Sequence, residues 1–419
     1  MLVTTPYGKT LVDSDTLAPL ARTVSMVSLA LGFLSIAGFG EGPPINGLFP
    51  AQFGLLVLAA AIGVIPLAPR KLVMRLPISM GFIAMVLWVV ASVLWTASPG
   101  GTQFALIGSV PIWVATYIFA SLLSSDDLKT VMLWLARLII WSSLLAGALF
   151  PEARINGLGT EFELDGWHGF FVHKNFMSPV VALSIITILG FDKNRVSKVV
   201  TVFAAVVLLF LSDSVTGISA ALAALGFWYW MGLLVKRDER GGGFFFTVSV
   251  VLGAFGLVGI AASIGQIVVA SGKDLTFSGR TDIWATTIDF IAQRPFTGWG
   301  LGGLFDVGGS GVNPETLSFW RSVGFNAFHA HNGPLDLALQ LGIPAVLLFG
   351  AFMFSAGFTS WRLKKEFPVI TAWMLTAIVI QGYTSLSEAN FLGAWFAILI
   401  IVRVWGMKLA QANRISEAV

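Results

Sequence analysis

Four histidines are the side chains of this sequence best suited to proton transfer, and they fall in two hydrophilic stretches. His168 and His173 lie in the first stretch, whereas His329 and His331 close the second. A histidine at a helix entrance can act as a general base, because its pKa lies near neutral. A His-x-His pair can also bind a metal or cap a helix. No further cluster of histidine and carboxylate at helical spacing in these stretches favours the metal.

Cationic side chains share the same two stretches. Arg154 and Lys174 lie in the first, and Arg280 lies in the second, just after a Ser-Gly pair that can cap a helix. The first turn of that helix would offer N–H groups, a positive dipole and a guanidinium to an anion. Together with His173 these cations can form a pocket for a diphosphate. The alternative is ordinary contact with lipid headgroups.

A short amphipathic helix is predicted after Arg280. Ile283, Trp284, Ile288 and Ile291 form one apolar stripe at helical spacing, and Pro295 ends it. Such a helix is typical of a segment that lies in the membrane interface.

The glycine-rich segment 298–303 superficially matches a dinucleotide fingerprint. That motif requires a preceding strand and a βαβ unit, and here an interfacial helix precedes it instead. Its glycines therefore predict a tight turn or a close approach of two backbone segments.

The composition indicates that most of this chain lies in lipid. Of its 419 residues, 56% are hydrophobic and 11% are charged, whereas a soluble domain carries about 25% charged residues. The 15 Trp and 34 Phe fit a bilayer protein with interfacial aromatic side chains. The absence of cysteine excludes disulfides, thiolate metal sites and cysteine nucleophiles.

The expected fold is all-α: one polytopic transmembrane domain over 1–419 with about 12 membrane-spanning helices, each of roughly 20 apolar residues. A long loop at 271–334, between spans nine and ten, would contain the short interfacial helices. The predicted spans are 20–39, 51–68, 78–97, 103–123, 129–149, 176–191, 197–211, 214–235, 244–270, 335–358, 369–387 and 391–409.

Lys and Arg are concentrated in alternate loops, which predicts the orientation of the chain. Only six of the 25 Lys and Arg residues lie in the loops on the opposite side: Arg154, Lys174, Lys273, Arg280, Arg294 and Arg321. This asymmetry predicts that both termini are cytoplasmic. The hydrophilic stretches 150–175 and 271–334 then face away from the cytoplasm, without direct access to ATP or nucleotide sugars.

One more carboxylate is expected near the same face. Glu388 lies in the short turn 385–390 between spans eleven and twelve. It can orient a base or a sugar, or it can merely cap a helix. The acidic residues Glu161, Glu163 and Asp165 are better explained as a solvated loop than as a catalytic pair.

Six short motifs, taken in their order along the chain, resemble the bacterial O-antigen ligase and O-antigen polymerase superfamily (Wzy_C-like). Two of them, His173-Lys174-Asn175 and Gly279-Arg280-Thr281-Asp282-Ile283-Trp284, look most like its exopolysaccharide polymerase (ExoQ-type) branch. The six motifs are Ser92 to Pro99, Phe171 to Asn175, Ser278 to Trp284, Arg294 to Gly300, His329 to Gly333, and Ser387 to Asn390.

The resemblance implies a GT-C-like, metal-independent glycosyltransferase without a cofactor. Such enzymes take a glycan from an undecaprenyl-diphosphate carrier on the periplasmic face of the bacterial inner membrane. Polymerases pass it to another lipid-linked glycan, and ligases pass it to lipid A-core. Arginines hold the diphosphate, and a histidine near the end of the long loop activates the acceptor hydroxyl.

The matching positions assign the catalytic roles to His331 and Arg280. Substrate contacts are expected from the remaining motif residues and the nearby cation: Arg154, His173, Lys174, Asn175, His329, Asn332 and Glu388.

One motif departs from the family pattern. Many members carry an arginine in a Ser-x-Ser-Arg-Thr-Gly sequence at the entrance of span eight, whereas this chain has Val215 in that place. A second cation for the diphosphate must then come from elsewhere, and Arg154 and Lys174 are the candidates.

Two other functions remain open. A ligase shares these motifs and differs in its acceptor; a protein acceptor is a further variant. A transporter or polysaccharide flippase also has twelve spans, but it places ionisable groups near the bilayer midplane. Here the span interiors hold few charges, and the two halves of the chain are not alike. The expected partners are lipid-linked glycans, membrane lipids and a chain-length regulator, without nucleic acid.

Overall fold

A computed structural model describes residues 17–39, 48, 52–74, 76–154, 166–237, 280–304, 313–323, 330, 332–364, 368–374 and 394–417. The regular elements of these residues are helices, and one isolated antiparallel bridge joins Phe39 to Phe171. The helices are α1 Pro19–Ile36, α2 Phe53–Val64, α3 Arg70–Met74, α4 Met80–Ala91, α5 Pro99–Leu122, α6 Ser125–Leu149, α7 Lys174–Phe191, α8 Arg195–Leu211, α9 Val215–Arg237, α10 Arg280–Gln293, α11 Pro314–Val323, α12 Gly333–Arg362 and α13 Ala394–Glu417.

The lengths of the helices confirm a polytopic membrane protein. Within the described residues, five helices are long and apolar enough to cross a membrane: α1, α5, α6, α7 and α12. Shorter apolar helices cover Phe53–Leu67 and Met80–Leu94. The span predicted at 244–270 lies outside the described residues, as does most of the one predicted at 369–387. The total of twelve spans and the GT-C-like arrangement therefore stay predictions.

The interruption between the predicted spans at 197–211 and 214–235, where the polar residues 212–214 lie, is present. α8 ends at Leu211 and α9 begins at Val215, so the apolar run forms a pair of helices. Asp213 lies in the turn between them with a φ of 47°. Aspartate is among the few residues besides glycine that adopt this left-handed conformation at modest cost.

One end of the bundle, the basic end, joins α1, α6 and α13. Arg22 Nε donates to Asp127 Oδ1 at 2.6 Å, and Asp127 also forms a capping box with Ser124 at the start of α6. Lys408 of α13 donates to the carbonyl of Leu123, just before this cap. These contacts gather residues that the sequence assigns to one side of the membrane.

The burial of α10 differs in part from the predicted stripe. The helix begins at Arg280 and ends two residues before Pro295, as expected. Its most buried side chains are Ile283, Thr287 and Phe290, whereas Ile288 is 54% exposed. Packing against α12 selects this i, i+4, i+7 face. The predicted apolar stripe therefore extends beyond the face that packs against the protein, because an apolar residue at the right spacing does not fix which side of the helix meets a neighbour.

A partly buried ion pair ties α6 to the turn between α7 and α8. Arg137 Nη2 donates to Asp192 Oδ2 at 2.6 Å, and the Ser197 hydroxyl donates to the same oxygen at 3.0 Å. Burial by itself would raise the pKa of Asp192, but these bonds and the Asn194 N–H hold that pKa below its ordinary value.

We expect Arg137→Gln to lower the midpoint of thermal unfolding in detergent near neutral pH, because Asp192 would lose its charged donor, a bond worth about 1.5–3 kcal/mol. The folded state lowers the pKa of Asp192, so the pair stabilises above the ordinary value of 3.8. The difference between wild type and variant should therefore shrink as pH falls below that value. The control is Arg195→Gln at an exposed position of α8; equal midpoints for both variants would contradict this role.

Candidate functional site

The ends of α6, α7, α8 and α9 away from the basic end meet at one place, which we call the α6–α9 junction: residues 150–154, 166–175 and 211–214. Backbone hydrogen bonds hold it together. The N–H of Gly166 donates to Arg154 O, that of Trp167 to Leu211 O and that of His168 to Ala153 O, each at 3.0 Å. Four of the predicted site residues lie here: Arg154, His173, Lys174 and Asn175.

The junction histidines have defined structural contacts. His168 is fully buried, and its Nε2 lies 2.9 Å from the carbonyl of Glu152. His173 caps the start of α7, where its Nδ1 accepts from the N–H of Asn175 at 3.1 Å. Because Nδ1 accepts this bond, a neutral His173 carries its proton on Nε2.

Arg154 closes the end of α6. Its Nε donates to Gly147 O, and its Nη2 donates to Ala148 O at 2.8 Å. The guanidinium carbon lies 5.5 Å from the ring centroid of Trp167. A cation at a helix C-terminus stabilises carbonyls that lack partners within the helix. The geometry therefore assigns Arg154 a capping role; its contact with substrate stays a prediction.

Lys174 and Asn175 lie beside the turn between α8 and α9. Asn175 Oδ1 accepts from the Ser214 hydroxyl at 3.1 Å. A Cβ placed at Gly166 would come within 3.0 Å of Lys174 Cδ and 2.4 Å of Ser212 O. The stem of Lys174 thus passes close to the turn that precedes Val215.

A second region forms around a break in α12 at Gly342, whose φ is 78°. The carbonyl of Leu339 loses its helical partner there, because the N–H of Ile343 donates instead to Pro295 O at 2.8 Å. The carbonyl of Gln340 has none, because Pro344 lacks an N–H. Both carbonyls accept from outside the helix.

The donors to these carbonyls come from the glycine loop, residues 298–304. The N–H of Trp299 donates to Leu339 O at 3.0 Å, and that of Gly300 donates to Gln340 O at 2.8 Å. Gly298, Gly300 and Gly302 have φ values of 64°, 91° and 66°. A Cβ on Gly300 would lie 2.3 Å from Thr96 Oγ1. The predicted role of these glycines, a close backbone approach, is confirmed.

The glycine loop also joins two motifs that are about two hundred positions apart in the sequence. Trp95 Nε1 donates to Thr297 O at 2.6 Å, and the N–H of Ala97 donates to Trp299 O at 2.9 Å. Arg294 donates to Trp95 O at 3.2 Å, with its guanidinium carbon 4.0 Å from the centroid of Trp299. The motif after α4 thus serves as a support for the loop.

The start of α12 and the start of α10 are connected through residue 330. Asn332 caps α12, with its Oδ1 accepting from the N–H of Leu335 at 3.2 Å. Trp284 Nε1, in the second turn of α10, donates to Ala330 O at 3.0 Å. His329, His331 and Glu388 lie outside the described residues, and for Arg280 only the backbone, at the first position of α10, is described.

Sequence reasoning missed Asp336 and Gln340. Asp336 is fully buried, and its carboxylate accepts from Ala330 N–H at 3.0 Å and from Gln340 Nε2 at 2.7 Å. The signal was a carboxylate within predicted span ten with an amide four residues later, since ionisable residues in a span commonly have a function.

We expect Gly342→Ala to destabilise the protein by about 1–3 kcal/mol, because a side chain would be forced into a left-handed conformation. The added Cβ would also lie 2.3 Å from Phe296 O. Gly350→Ala in the same helix is the matched control, since a Cβ there meets nothing within 4 Å. The yield of monodisperse protein and the thermal midpoint in detergent report the difference. Equal values for the two variants would contradict a requirement for glycine at the break in α12.

Comparison with known proteins identifies a family model and a relative that match this chain. The O-antigen ligase family model matches residues 200–350, from α8 through the glycine loop to the middle of α12. A relative in Rhizobium meliloti, the exopolysaccharide production protein ExoQ, is 24% identical over 331 residues, or 74% of this chain and 72% of the relative.

The family match contains the residues around which the second region is built. It includes α10, the glycine loop and the break in α12. The apolar helices of the described residues agree with a membrane protein. The resemblance of this chain to the O-antigen ligase superfamily, and to its ExoQ-type members, is therefore confirmed.

Proposed function

We propose that this chain is a glycosyltransferase of the bacterial inner membrane that polymerises repeat units of a surface polysaccharide. It moves a glycan from an undecaprenyl-diphosphate carrier to a hydroxyl of a second lipid-linked glycan. The family match supports the class of enzyme, and the relative named for exopolysaccharide production favours polymerisation. The observation that carries the site is the bond from Trp284 to Ala330, because it ties the helix begun by Arg280 to the residue between His329 and His331.

The reaction follows from the roles of His331 and Arg280. His331 takes the proton of the acceptor hydroxyl, whose oxygen attacks the anomeric carbon of the donor glycan. The bond from that carbon to the diphosphate oxygen breaks, and undecaprenyl diphosphate leaves with its electron pair. Arg280 and a second cation stabilise the charge that develops on the diphosphate, so neither a metal nor a cofactor takes part. Direct displacement inverts the anomeric configuration.

Lys174 is the better candidate for the second cation. The stem of Lys174 passes Gly166 beside the turn that leads to Val215, the position at which the resemblance leads us to expect an arginine. Arg154 lies at the end of α6, where two of its nitrogens donate to carbonyls of that helix. His173, Asn175, His329, Asn332 and Glu388 are retained as substrate contacts, although His173, Asn175 and Asn332 also make bonds that order their own segments.

The orientation is part of the proposal. The basic end, with Arg22 and Lys408, lies where α6 begins, and the α6–α9 junction lies where α6 ends. We assign the basic end and both termini to the cytoplasm, so the site faces the periplasm.

We expect His331→Ala to lower the turnover of purified protein by about 10²–10⁴-fold, the usual contribution of a general base. The assay contains undecaprenyl-diphosphate-linked repeat unit and a chelator, without nucleotide sugar. A ladder of longer lipid-linked glycans with wild type, lost in the variant at equal amounts of folded protein, supports the polymerase.

Other outcomes separate the alternatives. Transfer that requires added lipid A-core would identify a ligase. An absence of transfer to any acceptor, together with normal polysaccharide in cells that carry His331→Ala, would exclude the glycosyltransferase and favour a transporter.

Lys174 and Arg154 should respond differently to loss of charge. Lys174→Met keeps the apolar stem, and we expect its turnover per folded protein to fall by about 10²-fold, the usual effect of losing one group that stabilises developing charge. Arg154→Met should mainly lower the thermal midpoint, because the end of α6 would lose its cap. Turnover per folded protein that is unchanged in Lys174→Met would exclude Lys174 as the second cation.

A further inference from the structure

We infer that Asp336 is a positioning residue that fixes the segment carrying His331 through the backbone of Ala330. The inference rests on the proposed function, because it gives Asp336 a role in the geometry of a general base. Asp336 does not itself contact substrate in this account. It acts on the one residue that lies between the two histidines of the His-x-His motif.

A continuous set of hydrogen bonds connects Asp336 to two other elements. The N–H of Gly302 donates to Gln340 Oε1 at 2.8 Å, and Gln340 Nε2 donates to Asp336 Oδ2 at 2.7 Å. Asp336 Oδ1 accepts from the N–H of Ala330 at 3.0 Å, and Ala330 O accepts from Trp284 Nε1 at 3.0 Å. Both backbone polar groups of Ala330, its N–H and its carbonyl, are therefore hydrogen-bonded to side chains of other elements.

Every bond between the glycine loop and Ala330 is buried, so water does not compete for these groups. Asp336 and Ala330 are 0% exposed. In such surroundings a donor or acceptor that loses its partner carries the full cost of its desolvation. The set of bonds consequently has one favoured arrangement and resists small shifts of the 330 segment.

The direction of the donors along this set is also fixed. Gln340 must turn its oxygen to the N–H of Gly302, so its nitrogen must face Asp336. The side chain at position 336 must then accept twice, once from Gln340 and once from Ala330. Only a carboxylate or carboxylic acid of this length meets that demand, because an amide has one acceptor and one donor group.

The consequence for catalysis is geometric. His331 follows Ala330 directly in the chain, and Asn332, the next residue, caps α12. The backbone on either side of His331 is thus attached to α12, while Trp284 attaches the same segment to the helix begun by Arg280. A misplacement of about 1 Å in a catalytic group can cost about 10²-fold in rate.

The first variant is Asp336→Asn, assayed as the purified full chain on lipid-linked repeat unit. The amide nitrogen would face another donor in either orientation: Ala330 N–H or Gln340 Nε2. If Gln340 turned over to receive it, the Gln340 nitrogen would face Gly302 N–H. We expect kcat per folded protein to fall about 10-fold to 100-fold, with a KM for the donor within about twofold of wild type.

The second variant restores the match between hydrogen-bond donors and acceptors, but with different residues at positions 336 and 340. In the double variant Asp336→Asn with Gln340→Glu, the amide introduced at position 336 can accept from Ala330 and donate to the carboxylate introduced at position 340, whose other oxygen accepts from Gly302. The net charge equals that of wild type. We expect kcat to recover to within about threefold, whereas Gln340→Glu alone should be impaired because two carboxylates would face each other.

A third variant tests the other bond to Ala330. Trp284→Phe removes the donor to Ala330 O, and we expect kcat to fall about 10-fold. The matched control is Trp405→Phe, which removes a Trp Nε1 bond to Ser125 Oγ at the basic end. This control should keep kcat per folded protein, whatever it does to the thermal midpoint.

The outcomes separate this inference from the proposed function. Wild type without transfer to any acceptor would overturn the proposed function and the inference with it. Active wild type and inactive His331→Ala, but normal kcat per folded protein in Asp336→Asn, would overturn the inference alone. A loss that appears only in the amount of folded protein would likewise reduce Asp336 to a structural role, as would failure of the double variant to recover while it folds normally.

Discussion

The break in α12 is the feature on which the candidate site depends. Gly342 and Pro344 leave the carbonyls of Leu339 and Gln340 without helical partners, and both residues are buried, so the protein must supply other donors. The glycine loop supplies the missing N–H groups, and Pro295 accepts the N–H that Ile343 no longer gives to its own helix. A helix that must be broken here therefore requires a loop with positive φ values beside it, and the two features stabilise each other.

The same constraint explains the α6–α9 junction. Residues 166–168 are not helical, so their N–H groups donate to the carbonyls of Ala153, Arg154 and Leu211. Arg154 completes this arrangement by donating to carbonyls at the end of α6. A cation near a membrane surface can stabilise the fold instead of binding a ligand. Charge and side of the membrane therefore did not by themselves distinguish the role of Arg154 from that of Lys174.

Local signals in the sequence predicted several of these elements. Polar residues at 212–214 located the end of α8, the Ser-Gly pair and Pro295 located the ends of α10, and the glycines predicted close backbone contact. What could not be predicted depends on distant partners. Ile288 is exposed because α12 meets a neighbouring face of α10, and the partners of Asp336 include Gln340, which in turn bonds a residue 38 positions away.

Hydrogen bonds that run between elements have a further consequence for the proposed transfer reaction. Fixed dipoles can stabilise a developing charge only if they are already oriented when the substrate arrives. Here the glycine loop, the start of α12 and α10 are joined by bonds with a defined donor direction, so none can shift alone without leaving a buried group unpaired. The break in α12 thus does more than interrupt a helix. It attaches the glycine loop, which Gln340 and Asp336 connect to Ala330, so the position of Ala330 depends on three elements rather than on one loop.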